Sequence, residues 1–300
     1  MQRGEQTVNT DFYIVDVFAE QKYSGNQLAV ITNAYKLTDS EMQKIANEMH
    51  FSGTTFIKSD KLANDGYNIS IFTPSTEVPF AGHPTLGTAY IIGKLLSDKQ
   101  SQYVKLNLKV GQIKVTFEER QDKQEFLWMQ QMQPEFKKIY SHAFFQKLLA
   151  LQLSDFELDY PIQEVSTGLP FIIVPLKTLD AVKRARVNQS LLAKLTKKAS
   201  AGIVVFSPET FMKEHQINAR VFVHAFGIPE DPATGSGNGC LAAYLSKHQY
   251  FAEKEIDISV EQGFEINRPS ILYLKTIIKN NTIDVHVGGQ VILIAKGELI

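Results

Sequence analysis

Two stretches about 150 residues apart carry the same pattern, and this repeat limits the possible folds more than any other feature of the chain. The first reads EVPFAGHPTLGTAY (Glu77–Tyr90) and the second IPEDPATGSGNGCLAAY (Ile228–Tyr244). Phe72 and Phe222 each lie seven residues before a proline, Pro79 and Pro229, preceded by Val78 and Ile228. A glycine-rich turn follows each proline, then a helical pattern carrying Ala89-Tyr90 or Ala243-Tyr244. The offset is 150 residues before the turns and 154 after them, so the second turn carries four extra residues. In each half a strand feeds a glycine-rich loop that opens a helix. A helix start presents unpaired N–H groups and the positive end of the macrodipole, and glycines let a ligand approach the backbone closely. Two such loops meeting in one cleft would grip a single small anion. The plainer alternative is a pair of ordinary strand-to-helix turns. The repetition, with His83 in one turn and Asp231 in the other, favours the site.

The rest of the chain fits that picture. Three hundred residues suit one large domain or two of ordinary size. With 31 basic and 32 acidic residues the net charge is −1, which gives no electrostatic reason to expect nucleic acid or an anionic membrane. No run approaches the ~18 apolar residues of a membrane span, and the opening residues lack a signal-peptide core. A single cysteine, Cys240, precludes an internal disulfide and a cysteine-based zinc cluster. The seven histidines show no HExxH-like spacing, so no metal is expected. These features imply a cytoplasmic protein acting on something small.

Strand-like runs open the chain (FYIVDVFA, LAVIT), and a capping box, Thr38 with Glu41, starts a helix through Met49. TTFIKS, YNISIFT and the alternating hairpin YVKLNLKVGQIKVTFEE follow, then EFLWMQQ. The pattern begins again at Ser141 and ends in a strand-rich tail. The class is therefore α+β, with one long helix in each half. The polar stretch EERQDKQ is a plausible domain edge, which gives expected domains of 1–125 and 126–300, with a terminal strand that can cross over.

Nucleotide motifs fail on inspection. GHPTLGTA lacks the lysine of a P-loop, and GSGNGC is not GxGxxG.

The segments DVFAEQKYSGNQLAVI, FTPSTEVPFAGHPTLGTA, EDPATGSGNG and VEQGFEINRPS together resemble the PhzF family, the phenazine-biosynthesis-like isomerases with the diaminopimelate epimerase fold. The resemblance runs from about residue 12 to the C-terminus. It implies two similar domains, each a curved, mostly antiparallel sheet around a central helix, with the site between them. It also implies a homodimer, no metal and no organic cofactor, and a proton shift within a small carboxylic acid. The family's histidine and aspartate fall on His83 and Asp231, and the substrate-holding backbone on Gly82, Gly235 and Ser236.

One departure matters. The family's SET(A/T)F segment carries its acid/base glutamate, whereas HFSGTTF places Gly53 there. Glycine has no group that exchanges a proton. Glu48 and His50 are nearby, but a solvent-facing helix residue and a polar helix-end residue are the plainer readings. Two-cysteine racemases of this fold carry a thiol where Ser236 stands, and a serine is far too weak an acid to replace it. Cys240 is read as a packed thiol and Trp128 as core. Asp231 fits both a turn-forming residue before proline and a site carboxylate. Glu230 reads as solvated or salt-bridged, Asn26 as a turn residue, Ser166–Pro170 as a strand-entry loop or cleft border, and Arg268 as a carboxylate partner or an exposed arginine. Two functions lead, an isomerase-like enzyme using His83 and Asp231 and a binding or regulatory protein that keeps the pocket without the chemistry, with a lyase or hydratase-like activity as a third option.

Overall fold

The strand patterns of the two halves condense into the same order of pairings, which turns the sequence repeat into a structural one. The computed structural model describes residues 10–96, 101–119, 125–196, 201–224, 228–280 and 282–300. Most of the EERQDKQ edge, residues 120–124, lies outside the described residues. The first half runs β1 (Thr10–Val17), β2 (Asn26–Ile31), α1 (Asp39–Met49), β3 (Gly53–Ile57), β4 (Tyr67–Phe72), β5 (Glu77–Val78), α2 (Gly82–Leu95), β6 (Tyr103–Leu108), β7 (Gly111–Glu119) and β8 (Glu125–Gln130). The second runs β9 (Glu135–Tyr140), α3 (His142–Leu149), β10 (Ile162–Ser166), β11 (Pro170–Pro175), α4 (Leu179–Arg184), α5 (Gln189–Thr196), β12 (Gly202–Ser207), β13 (Ile217–Val223), β14 (Ile228–Asp231), α6 (Gly235–Lys247), β15 (Asp257–Gln262), β16 (Ser270–Lys279) and β17 (Thr282–Leu299).

In the first half β1–β2 and β3–β4–β5 pair antiparallel, while β2–β3 and β4–β6 are parallel. In the second half β10–β11 and β12–β13–β14 are antiparallel, while β11–β12 and β13–β15 are parallel. Hairpins β6–β7 and β15–β16 complete each set. Parallel neighbours need a crossover; α1 connects β2 to β3, and α4 with α5 connects β11 to β12. The long β17 ties the halves together. Its first part pairs with β16 and β8, and its last part, from Val291 to Leu299, pairs with β1. The boundary expected after residue 125 falls at the start of β8, which bonds β7 on one side and β17 on the other.

Two helices fill the interior. Residues Gly82–Ala89 of α2 and Gly235–Ser246 of α6 are buried without interruption. A helix apolar or small on every side can be buried on every side, and the strands that wrap it must come close. Gly87 shows how close: a Cβ there would stand 2.5 Å from Leu28 and 2.9 Å from Val17. The capping box forms as expected, with Thr38 N donating to Glu41 Oε2 at 2.8 Å and Glu41 N to Thr38 Oγ1 at 3.3 Å. Among the described residues no helix is long and apolar enough to cross a membrane.

Two expectations change. The glycine-rich segments are not loops ahead of the helices but their first turns, since α2 begins at Gly82 and α6 at Gly235. Trp128 is half-buried rather than core, because its indole Nε1 reaches out to donate to Glu118 at 2.8 Å.

Candidate active site

The starts of α2 and α6 abut backbone to backbone. A Cβ on Gly82 would lie 2.6 Å from the Cα of Gly235 and 2.7 Å from the nitrogen of Ser236. Only residues without side chains permit this approach. Each helix makes its first intrahelical bond in the same way, Thr85 N to Ala81 O and Asn238 N to Thr234 O. The N–H groups of Gly82, His83, Gly235 and Ser236 precede those bonds and so lack intrahelical acceptors. All four residues line one cavity of about 60 Å³, together with Asp231, Ser52 and Thr73. Phe80, Leu169, Phe171 and Ile228 supply its apolar wall. The paired helix ends thus give a site for an anion, with no lysine or arginine among the lining residues.

His83 and Asp231 share this cavity, and a third residue joins them. Asn26, 1% exposed at the start of β2, donates from Nδ2 to Asp231 Oδ1 at 2.8 Å and to Ala233 O at 2.8 Å, and lies 3.2 Å from His83 Nδ1. Its Oδ1 accepts from Ser52 Oγ at 2.7 Å, and Ser52 Oγ is 3.4 Å from His83 Nε2. Thr234 Oγ1 donates to Asp231 Oδ2 at 2.6 Å. Behind it, Gln262 donates to Asp231 O at 2.7 Å and accepts from Thr234 N at 3.1 Å.

Burial inverts the order in which the two acid–base groups titrate. It pushes the Asp231 carboxyl up to about 6, against hydrogen bonds from Thr234, Asn26 and Ser52 that favour the carboxylate. It pushes the His83 imidazole down to about 3. His83 is therefore neutral across the physiological range, and the group that titrates near neutrality is Asp231. Burial of the ring thus leaves the histidine without a charge change near neutral pH.

Gly53 lies against His83. A Cβ there would be 2.9 Å from His83 Nε2 and 2.8 Å from Pro84 Cγ. The imidazole thus occupies the room a side chain at 53 would need. Glu48 and His50 are exposed at the end of α1 and take no part. Cys240 is buried with its thiol pushed up to about 12 by burial, so it is packed and protonated. Glu230 forms a two-pronged ion pair with Arg220 at 2.7 and 2.8 Å. Arg268 pairs with Asp16 at 2.7 Å and donates to Ser24 O and Gly25 O, which anchors the loop ahead of Asn26.

Asn26 and Ser52 were not expected as site residues. Their signal is topological: parallel pairing of Leu28 with Gly53 sets the starts of β2 and β3 at one sheet edge, where both side chains emerge. Leu169 of the Ser166–Pro170 stretch reaches the cavity, while Thr167 turns inward to Gln131 and Cys240.

Comparisons with known proteins agree with this architecture. Residues 15–297 match the family described as phenazine biosynthesis-like protein, PhzC-PhzF. An uncharacterized isomerase from Clostridium acetobutylicum is 32% identical over 97% of this chain and 98% of its own length. A trans-2,3-dihydro-3-hydroxyanthranilate isomerase from Pseudomonas fluorescens is 31% identical over 97% and 99%. The crystal structure of a PhzF-family phenazine biosynthesis protein from Bacillus anthracis superimposes with a TM-score of 0.87 at 26% identity, covering 97% of this chain and 99% of that one. Sequence, sheet order and buried helices agree: this chain is a member of the PhzC-PhzF, phenazine biosynthesis-like family, with the diaminopimelate epimerase-type α+β fold.

Proposed function

We propose that this protein is an isomerase that moves a proton within a small carboxylic acid, using Asp231 as the proton carrier. The observation that carries the reading is the joint cavity: a carboxyl that titrates near neutrality faces two convergent helix ends with free N–H groups. The N–H groups of Gly82, Gly235 and Ser236 hold the carboxylate of the ligand. Its carbon frame rests on Phe80, Leu169, Phe171 and Ile228. A general acid–base group works best with a pKa near the working pH, which Asp231 meets and His83 does not. His83 contributes a neutral imidazole beside the reacting centre. The isomerase names of the relatives support the reaction type.

A second reading is ligand binding without chemistry. Gly53 favours it, since the position given by resemblance to an acid/base glutamate has no ionisable group. Deuterium incorporation separates the two. The chain is mixed in D₂O with trans-2,3-dihydro-3-hydroxyanthranilate and with small aromatic and amino-acid carboxylates, and each acid is followed by NMR. Incorporation that disappears in Asp231→Asn supports the isomerase; binding with no incorporation supports the second reading.

A further inference from the structure

The amide of Asn26 has two hydrogens and three neighbours at its nitrogen: Asp231 Oδ1, Ala233 O and His83 Nδ1. Flipping the amide would turn its oxygen toward a carboxylate, a carbonyl and a ring nitrogen while removing both hydrogens. The hydroxyl of Ser52, 2.7 Å from Oδ1, further fits the unflipped form. The nitrogen end is therefore a donor only. A hydrogen on His83 Nδ1 would point at that NH₂ group, which has no lone pair to receive it. His83 must carry its proton on Nε2, where Ser52 Oγ stands 3.4 Å away.

The same logic applies to Asp231. Oδ1 receives a hydrogen from Asn26, and Oδ2 receives one from Thr234 Oγ1, which itself already accepts from Gln262 Nε2 at 3.1 Å. Each of these two bonds is donated to the carboxylate, and Ser52 adds a further donor. The Asn26 amide offers a proton on Oδ1 no acceptor, so a proton arriving on Asp231 settles on Oδ2, where the Thr234 hydroxyl has a lone pair to spare, at the edge of the cavity that Asp231 lines.

We propose that Asn26 is a positioning residue that sets the proton inventory of the cavity, holding His83 as the neutral Nε2–H tautomer and keeping the mobile proton of Asp231 off Oδ1 and on Oδ2. The inference rests on the proposed proton-transfer function and deepens it. Asn26 is well placed for this because its loop is held from the other half of the chain. Gly25, at φ +68°, donates to Pro269 O at 2.9 Å, and Arg268 bridges Ser24 O, Gly25 O and Asp16. Other charged groups near these elements are already engaged: Glu230 with Arg220, and Asp16 with Arg268. His83 and Asp231 are the ionisable residues among those lining the cavity.

The test is nitrogen-15 NMR of the histidine rings in the full, unliganded chain between pH 5 and 8. His83 should show a bare Nδ1 and a protonated Nε2 throughout. An Nδ1–H tautomer, or an imidazolium forming with a midpoint above pH 5, would overturn the proposal. In Asn26→Ala, checked for folding by circular dichroism, the tautomer preference should weaken. The Asp231 midpoint, read by carboxyl carbon-13 NMR, should rise by about one pH unit, a tenfold change in proton affinity from losing a donor to the charged form. A folded variant with both readouts unchanged refutes the positioning role. If the variant does not fold, the wild-type tautomer still decides. These readouts need no ligand, so absent deuterium exchange would count against the isomerase reading and leave the tautomer result standing.

Discussion

The two helix starts do the same backbone task and divide the side-chain chemistry. At α2 the first turn is Gly82-His83-Pro84; at α6 it is Gly235-Ser236-Gly237, with Asp231 just ahead in β14. The first brings a ring and no acid, the second an acid and no ring. The contrast extends to the strands behind them. By register, Gly53 at the start of β3 corresponds to Gly202 at the start of β12, since Leu28 pairs with Gly53 and Phe171 with Gly202. Each glycine has an aromatic ring pressed on it: a Cβ at 53 would meet His83 at 2.9 Å, and one at 202 would meet Phe171 at 2.5 Å. Both rings line the cavity. The comparison teaches that Gly53 is more than a missing carboxylate. It is the seat of the imidazole, as Gly202 is the seat of the phenyl ring.

Removing the acid from its half should have the largest effect. Asp231→Asn is expected to lower ligand deuterium exchange at least ~100-fold, measured by NMR, while the protein becomes more stable at pH 7. The sign follows from the raised carboxyl. The folded state keeps the proton up to about pH 6 while the unfolded chain releases it near 4, so native stability falls as pH rises through that window. The variant should recover about 1–3 kcal/mol in urea unfolding at pH 7. His83 works in the opposite direction. Its folded value near 3 lies below the unfolded 6.5, so its contribution is present above 6.5 and is lost as pH falls toward 3. His83→Gln should flatten that acid-side loss, and an unchanged acid limb would contradict the buried neutral ring.

Breaking the backbone contact common to both halves comes next. Gly82→Ala forces a methyl against the Gly235 backbone and should cost about 1–3 kcal/mol, seen as a lower urea midpoint and weaker ligand binding. Gly53→Ala sharpens the ring comparison: it should displace His83, shift its ring resonances and reduce deuterium exchange. An increase in exchange would show that room at 53 limits the chemistry instead. The smallest effect is expected at Ser236→Ala. Losing one hydroxyl among backbone donors should weaken carboxylate binding by about 1 kcal/mol, roughly fivefold, by calorimetry.

Much of the fold was legible in the sequence because it depends on local periodicity. The capping box before Met42, the alternation around Gly111 and the apolar β15–β17 tail are properties of neighbouring residues, and the structure keeps them. The repeat around Pro79 and Pro229 exposed the two helix starts for the same reason. Periodicity misjudged what the glycines do: it read GHPTLG and GSGNG as loops because glycine disfavours helices, whereas tertiary packing against Gly235 and Gln131 selects glycine inside them. Asn26 and Ser52 stayed hidden because neither stands in a chemical motif. Their importance comes from the parallel β2–β3 register, which sets them beside groups as many as 207 residues away.

The order of residues alone determined that two similar units each end a strand at a glycine-rich helix start, and that a histidine and an aspartate accompany them. Tertiary structure alone decided which of those two groups holds a labile proton. Ionisation depends on solvent exclusion and on the donors surrounding each group, and both arise only when the two halves close on the same cavity.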